Sequence, residues 1–153
     1  MHFSASTILA VLLAVMTPVS AWQATFHDDM ICSPKDDSQY RIISGDVDGG
    51  CYVFGQDMPG TGCEKFTNGG ANKGACDGEE FKIEAILVQP DTACYVYSDD
   101  HCEVGGRFVY PKKKEPTCDT YIAGFGFELW TIKSFACTSS SNLAGSGIPG
   151  FKN

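Results

Sequence analysis

Apolar and polar residues alternate with a period of two in the middle of the chain, the pattern of a β-strand with one buried face. Phe81, Ile83 and Ala85 are separated by charged residues. Positions 86–88 are then all apolar, which is typical of a strand buried on both faces. The pattern predicts a strand over residues 81–88.

Short strands and turns follow this segment. A turn at residues 89–92 leads to an aromatic strand at residues 94–97, and a turn at residues 98–101 leads to a strand at residues 107–110. Residues 68–77 are rich in glycine and asparagine and are predicted to form a loop. Strands of about four to eight residues joined by such turns favour an all-β sandwich or barrel.

An internal repeat relates two parts of the chain. The segment CYVF at residues 51–54 is matched 43 positions later by CYVY at residues 94–97. The same offset relates Cys94 to Cys137. The repeat predicts a disulfide-stabilised sandwich built from two copies of one unit of about 43 residues, with a closing half-unit after them.

The repeated unit resembles a known one. An apolar strand is followed by an aromatic strand that ends at Phe54 or Tyr97, then by an acidic turn and by Gly62 or Gly105. This order is similar to the Greek-key unit of the βγ-crystallins, whose fold some small secreted fungal toxins share. The resemblance implies a domain of two such units. The calcium signature of that family has no match in the expected loops, so we assign no calcium ligands.

The N-terminal segment has the pattern of a secretory signal. Residues 8–19 form an apolar run that small residues close, which predicts cleavage between Ala21 and Trp22. The run is shorter than the ~20 residues that cross a bilayer, so we predict no membrane span. The predicted organisation is a signal peptide at 1–21, one disulfide-rich β domain at 22–137 and a flexible Ser/Gly-rich tail at 138–153.

Charge and cysteine content narrow the class of protein. The net charge of −8 argues against nucleic acid or an anionic membrane as partner, since phosphate neutralisation needs a positive excess. Eight cysteines in a small secreted chain predict disulfides. Zinc would need paired ligands such as C-x2-C, and the sequence has no such pair. The predicted disulfide cysteines are Cys32, Cys51, Cys63, Cys76, Cys94, Cys102, Cys118 and Cys137.

The disulfide pairing stays open between two schemes. The scheme that we prefer follows the repeat and joins Cys32–Cys51, Cys76–Cys94, Cys118–Cys137 and Cys63–Cys102. The alternative closes the two hairpins through Cys51–Cys63 and Cys94–Cys102.

One cluster of side chains is a candidate for catalysis. His101, Glu103 and Arg107 lie close together in the sequence, and a histidine with a carboxylate and an arginine is suited to acid–base cleavage of a phosphodiester. A polar hairpin tip explains the same residues, and we favour it. We therefore assign no catalytic residue.

Acidic residues suggest possible metal sites. His27, Asp28 and Asp29 could form one near the predicted new N-terminus, but solvated polar residues are the better interpretation. Aspartate is also a common turn residue, because its side chain bonds the local backbone. We favour this turn role for a second group of residues: Asp46, Asp48, Asp57, Asp99 and Asp100. We predict no metal and no cofactor for the protein.

A basic run and several aromatic residues complete the candidates. Residues 112–114 are three lysines, which could contact an anionic surface or mark a processing site, although a charged loop is the favoured interpretation. Exposed aromatic rings could stack on carbohydrate or bind a protein partner. We favour a core role for the aromatic candidates, which are Tyr52, Tyr95, Tyr97, Tyr121 and Trp130.

The signal peptide, the size, the eight cysteines and the phrase CYVYSDDHC resemble small secreted cysteine-rich proteins of filamentous fungi, many of which are candidate effectors. The resemblance implies a secreted effector- or elicitor-like protein that is not an enzyme and binds an extracellular host protein or carbohydrate. One alternative is a killer-toxin-like antimicrobial protein, and another is a small secreted ribonuclease. The sequence does not define the receptor or the oligomeric state.

Overall fold

The computed structural model describes residues 21–78, 81–111, 115–120 and 131–145 of the chain. Ten strands run through these residues, with short 3₁₀ turns at Asn68–Gly70 and Ser140–Gly145. That part of the chain has no α-helix, which confirms the predicted all-β class. In chain order the strands are β1 Trp22–His27, β2 Tyr40–Gly45, β3 Tyr52–Val53, β4 Thr61–Thr67, β5 Asn72–Ala75, β6 Ala85–Val88, β7 Thr92–Tyr97, β8 Arg107–Val109, β9 Thr117–Thr120 and β10 Ser134–Ser139.

The strands form two antiparallel sheets. Sheet A has the order β5-β4-β2-β1-β6-β9, and sheet B has the order β3-β10-β7-β8. Buried side chains from both sheets form one core, across which β1 contacts β7 and β10. The protein is therefore a two-sheet sandwich, as the sequence predicted.

Aromatic side chains fill the centre of the sandwich. Side chains alternate along a strand, and Trp22 and Phe26 of β1 both point into the core. The ring of Phe135 in β10 lies 6.0 Å from that of Trp22 and 4.7 Å from that of Phe26, and Tyr52 lies 5.4 Å from Phe135. The indole Nε1 of Trp22 donates to the carbonyl of Val47 at 2.8 Å, so its one polar group is satisfied.

A loop covers part of the outer face of sheet A. We call it the long loop; it comprises residues 28–39, between β1 and β2, and Cys32–Cys118 bonds it to β9. Because β6 lies between β1 and β9, the loop crosses the outer side of β6 to reach Cys118. His27 points away from the core and is nevertheless only 2% exposed.

A second loop covers part of the outer face of sheet B. We call it the short loop; it comprises residues 98–106, between β7 and β8, and Cys51–Cys102 bonds it to the chain just before β3. Cys102 packs on Tyr97, which is 1% exposed although it lies on the outer face. Both sheets thus have strands that are buried on two sides, and loops rather than a third layer cover them.

The disulfides differ from both predicted schemes. The structure joins Cys32–Cys118, Cys51–Cys102, Cys63–Cys76 and Cys94–Cys137 and leaves no cysteine free. The preferred pairing and the alternative are therefore both wrong. Cys94 and Cys137 lie opposite each other on β7 and β10 and are fully buried in the core. The 43-residue offset relates Cys51 to Cys94 and Cys94 to Cys137, and only the second pair is bonded, across two neighbouring strands.

The matched segments of the repeat occupy comparable places. β2 and β6 lie on the two sides of β1, and β3 and β7 lie on the two sides of β10. The strands that follow them differ, because β4 pairs with β2 in sheet A whereas β8 pairs with β7 in sheet B. The internal repeat and its Greek-key order stay a prediction.

The edge of sheet A corrects the loop predicted at residues 68–77. Asn72–Ala75 forms β5, which pairs with β4, and Cys63–Cys76 bonds the same hairpin. All four side chains of β5 are exposed, so no apolar alternation marks this strand in the sequence. The strand predicted over residues 81–88 is shorter in the structure, where β6 begins at Ala85.

The last described strand continues past the boundary predicted after Cys137. Thr138 is fully buried within β10, which ends at Ser139. The carboxylate of Asp48 accepts hydrogen bonds from the backbone N–H of Ser139 at 2.9 Å and from Nδ2 of Asn142 at 2.8 Å. These bonds connect the last strand and the turn after it to the loop before β3.

Two predicted segments lie outside the described residues. Residues 1–20 hold nearly all of the predicted signal peptide, and residues 146–153 hold the end of the predicted tail. Among the helices of the described part, none has the length and apolar character needed to cross a membrane.

Candidate functional site

Four aromatic side chains follow one another across the outer face of sheet B. In β7 and β8 the alternation turns Val96 and Val109 into the core, so Tyr95, Tyr97 and Phe108 point outward. Tyr110 comes two residues after Phe108 and continues the same line. We call this set, Tyr97, Tyr95, Phe108 and Tyr110, the aromatic row.

The rings of the aromatic row overlap one another. Successive ring centroids are 5.0, 6.1 and 5.1 Å apart, and the planes of Phe108 and Tyr110 differ by 24°. Two nearly parallel rings at 5.1 Å cannot lie side by side, so they form an offset stack. Each ring of this pair covers part of one face of the other.

Exposure increases along the aromatic row. The short loop covers Tyr97, and a Cβ atom at Gly106 would lie 1.7 Å from Cε1 of Tyr95, so only glycine allows the loop to lie against that ring. Tyr110, at the other end, is 47% exposed. One end of the row therefore fixes the loop, and the other end is available to a partner.

Tyr97, at the covered end of the aromatic row, carries no charge near neutral pH. Burial, helped by the neighbouring Tyr95 and Asp99, raises the pKa of Tyr97 to about 12. Its hydroxyl therefore stays protonated under physiological conditions.

The long loop, on the opposite side of the molecule, offers a different surface. Its tip exposes Met30 and Ile31, whose exposed fractions are 49% and 41%. Beside the tip is an open pocket of about 440 Å³. The pocket is lined by Asp28, Asp29, Lys35, Asp36, Asp37 and Ser38.

An aromatic stack lies on the outer face of sheet A, partly under the long loop. The ring of Tyr40 stacks on Phe66 at 4.8 Å and lies 5.5 Å from the imidazole of His27. The imidazole nitrogens of His27 have no hydrogen-bond partner among the described residues. Burial lowers the pKa of His27, and the negative charges of Asp29 and Asp28 oppose that shift only in part. His27 is therefore a buried, neutral side chain.

A cleft of about 690 Å³ lies at one end of the sandwich. Phe54, Phe81 and Ile132 line it and also pack on the core, while Asp100 and Lys133 line its polar part. Two of the lining residues, Gly78 and Phe81, flank residues 79 and 80, which lie outside the described part of the chain. We assign no function to this cleft.

The residues proposed for catalysis have structural partners. Arg107 donates to a carboxylate oxygen of Asp119 at 2.7 Å and so connects the edge of sheet B to the edge of sheet A. His101 is 73% exposed and pairs with Asp100 at 2.6 Å. The backbone N–H of Glu103 donates to Asp99 within the short loop. These contacts fit the polar hairpin tip that we favoured.

The aspartates of the proposed metal sites bond the local backbone. Asp28 accepts a hydrogen bond from the N–H of Gln39 at 2.8 Å, and Asp29 accepts one from Ile31 at 3.3 Å. Burial alone would raise the pKa of Asp48, but its hydrogen bonds outweigh that effect and hold the pKa below its usual value. In the part of the chain that the structure describes, no group of three or more His, Cys, Asp and Glu side chains could hold a metal ion.

The aromatic candidates divide into three cases. Tyr52 and Tyr97 are buried, as predicted, and Tyr95 is half-buried. Tyr121 and Trp130, together with the lysines at 112–114, lie outside the described residues. Sequence reasoning missed Phe108 and Tyr110. Their signal was available, because they alternate with the core residue Val109.

A comparison with family models gives a match that covers all ten strands of the described sandwich. Residues 22–139, from the start of β1 to the end of β10, match the model described as "Secreted LysM effector LysM14, C-terminal domain". The chain belongs to this family. Among curated proteins and among solved structures, none matches the chain significantly.

Membership of this family establishes the class of protein. The family is one of secreted effector domains, so the protein is a small secreted effector-like protein with an extracellular location. This confirms the prediction of a secreted effector class. The family description names no binding partner for this domain.

Proposed function

We propose that the protein acts outside the producing cell by binding a host component through the exposed end of the aromatic row. The observation that carries the proposal is Tyr110, which is 47% exposed and stacks on Phe108 at the edge of a disulfide-bonded sheet. Aromatic side chains held in a fixed position are common interface hot spots, because they lose little freedom on binding.

The geometry of the row favours a protein over a carbohydrate as the host component. A sugar stacks on the open face of an aromatic ring, whereas the stack of Phe108 and Tyr110 covers part of one face of each ring. Ring edges suit an apolar protein pocket that accepts a tyrosine, whose hydroxyl can bond at the rim. The net charge of −8 further disfavours an anionic polymer.

The other functions considered from the sequence have weaker support. A ribonuclease would use His101 and Arg107, yet Arg107 connects the two sheet edges through Asp119. A killer-toxin-like role depends on the Greek-key repeat, which stays a prediction.

A substitution at Tyr110 tests the proposal. The purified mature protein, Tyr110→Ser and the control Val47→Ser are applied over a range of doses to tissue from a panel of host species. Val47 is 56% exposed and lies in the β2–β3 loop, so the control removes a similar exposed apolar group. We expect Tyr110→Ser to need at least about thirtyfold more protein for the same host response, because an interface hot spot contributes about 2 kcal/mol or more.

Two results would contradict the proposal. One is a wild-type dose response for Tyr110→Ser, and the other is no response to the wild-type protein in any host. Thermal unfolding of each variant checks that the sandwich is intact.

A further inference from the structure

The tip of the long loop exposes two adjacent apolar side chains. Met30 and Ile31 are 49% and 41% exposed, whereas the other large apolar side chains with high exposure in the described residues stand singly. Single exposed apolar residues are normal on a protein surface, but adjacent ones that form a patch are a feature of interfaces.

The long loop is held in one conformation. Cys32, next to Ile31, is bonded to Cys118 of β9. At the base of the loop, Asp28 and Gln39 exchange a backbone hydrogen bond of 3.1 Å and a side-chain bond of 2.8 Å.

The far side of the loop is held as well. Ser38 bonds both backbone groups of Lys35 at 2.8 Å, and the N–H of Gly69 donates to the carbonyl of Ser38 at 3.2 Å. A partner would therefore meet a loop that needs little further ordering, which lowers the cost of binding.

Negative charge surrounds the apolar tip. The adjacent pocket is lined by four aspartates and one lysine, so the described lining has an excess of three negative charges. Asp36 and Asp37 are exposed, and Oδ2 of Asp29 is buried without a hydrogen-bond partner among the described residues. In the described part of the chain, no group of three or more His, Cys, Asp and Glu side chains could hold a metal ion.

From these observations we infer that the long loop is a second docking surface. Its partner is a protein surface with an apolar pocket for Met30 and Ile31 and a rim of lysine or arginine side chains. The apolar pair supplies affinity, and the aspartates attract and orient the basic rim. The inference rests on the proposed function, because it adds a second docking surface to a protein that acts by binding.

A synthetic probe tests the inference directly. The probe is a fluorescent amphipathic peptide of leucine and lysine, compared with a serine–lysine and a leucine–glutamate peptide of the same length. Fluorescence anisotropy measures its binding to the full-length mature protein. We expect the leucine–lysine peptide to bind at least about tenfold more tightly than either of the others.

Variants of the loop locate the binding. Met30→Ser/Ile31→Ser should weaken binding of the leucine–lysine peptide about tenfold. Asp36→Asn/Asp37→Asn should reduce the dependence of that binding on salt, because screening acts on exposed charges. The control is Val104→Ser, which removes a 60% exposed apolar side chain beside the acidic residues of the short loop. It should bind the peptide as the wild type does.

Several outcomes would overturn the inference. They are equal binding of the serine–lysine peptide, wild-type binding by Met30→Ser/Ile31→Ser, and an equal loss with Val104→Ser. A salt dependence that the aspartate variant leaves unchanged would overturn the basic rim. The proposed function is judged separately by the host response of Tyr110→Ser, so failure of one can be told from failure of the other.

Discussion

The outer faces of the two sheets show the same arrangement with different results. Each has a stack of aromatic rings, and each has a loop that a disulfide fixes over part of the stack. In sheet A the loop has 12 residues and itself presents an apolar and acidic tip. In sheet B the loop has nine residues and leaves the far end of the aromatic row exposed.

The difference shows how the fold separates stability from recognition. Tyr97 and His27, under the two loops, are buried and fix the loops in place. The exposed residues lie where the loops do not cover the sheets. In sheet B they are at the end of β8, and in sheet A they are on the long loop. Changes under the loops should therefore alter stability, whereas changes at Tyr110 or Met30 should alter binding.

The largest effect is expected from removing either loop disulfide. Cys32–Cys118 and Cys51–Cys102 span 86 and 51 residues. For such spans the chain-entropy model gives about 4–5 kcal/mol for each bond. We expect Cys32→Ala/Cys118→Ala and Cys51→Ala/Cys102→Ala to lower the free energy of unfolding by similar amounts, measured with denaturant.

The two disulfide variants should differ in where they open. Hydrogen exchange should increase around β1 and the long loop in the first variant, and around β7 and the short loop in the second. In the second variant the pKa of Tyr97 should also fall from about 12 toward its ordinary value, because its burial is relieved. A variant as stable as the wild type would contradict the role of its loop disulfide.

A smaller effect is expected from Gly106→Ala in the short loop. The added Cβ would meet the ring of Tyr95 at 1.7 Å, so loop or ring must move. Overpacking of this kind costs about 1–3 kcal/mol. The matched control is Gly74→Ala in β5, where nothing lies within 4 Å of the added Cβ. Thermal or denaturant unfolding measures both variants, and equal stabilities would show that the short loop does not depend on this contact.

The pH dependence of the free energy of unfolding tests whether His27 is buried under the long loop. The pKa of His27 is lower in the folded protein than its unfolded value of about 6.5, because burial disfavours the cation. The stability that this neutral histidine contributes is complete above that unfolded pKa. It is lost as the pH falls through about 6.5 toward the folded pKa.

Denaturant unfolding at about pH 7.5 and about pH 5 measures this loss. His27→Phe, which keeps a ring against Tyr40, should remove part of the difference between the two pH values. If His27→Phe keeps the full wild-type pH dependence, the groups responsible lie elsewhere.

The smallest effect on stability is expected at the exposed end of the aromatic row. Tyr110→Ser removes a ring that is half in solvent, and surface changes of this kind usually stay within about 0.5 kcal/mol. Unfolding by denaturant measures it. A cost comparable with that of Gly106→Ala would mean that Tyr110 serves the fold and not a partner.

The fold class was predictable because the core strands carry its pattern. Ile83, Ala85, Cys94 and Val96 are all buried, and the last three lie in β6 and β7. The edge strand β5 was missed because all its side chains are exposed, and a strand without a buried face leaves no periodic signal.

The disulfide pairing was not predictable from spacing. Two of the disulfides, Cys32–Cys118 and Cys51–Cys102, depend on loops that lie over a sheet. The number of residues between two cysteines does not indicate where such a loop lies. The Cys94–Cys137 bond follows from strand register, which the sequence does not specify for strands so far apart.

For the candidate site, the sequence predicted the type of residue but not which residues are exposed. Aromatic residues were identified as possible contacts, but alternation alone could not show which outward-facing rings the loops cover. Tyr97 and Tyr110 both lie on the outer face, and the position of the short loop decides that one is buried and the other is exposed.

The disulfides also define how the molecule responds to being cut. Cys32–Cys118 and Cys94–Cys137 together enclose every peptide bond from Cys32 to Cys137. A single proteolytic cleavage anywhere in that interval, including one at the lysines 112–114, therefore releases no fragment. The cleaved protein would keep its mass, apart from one added water, until it is reduced. Outside a cell, where proteases are abundant and reductants are scarce, such a molecule stays in one piece after its first cut.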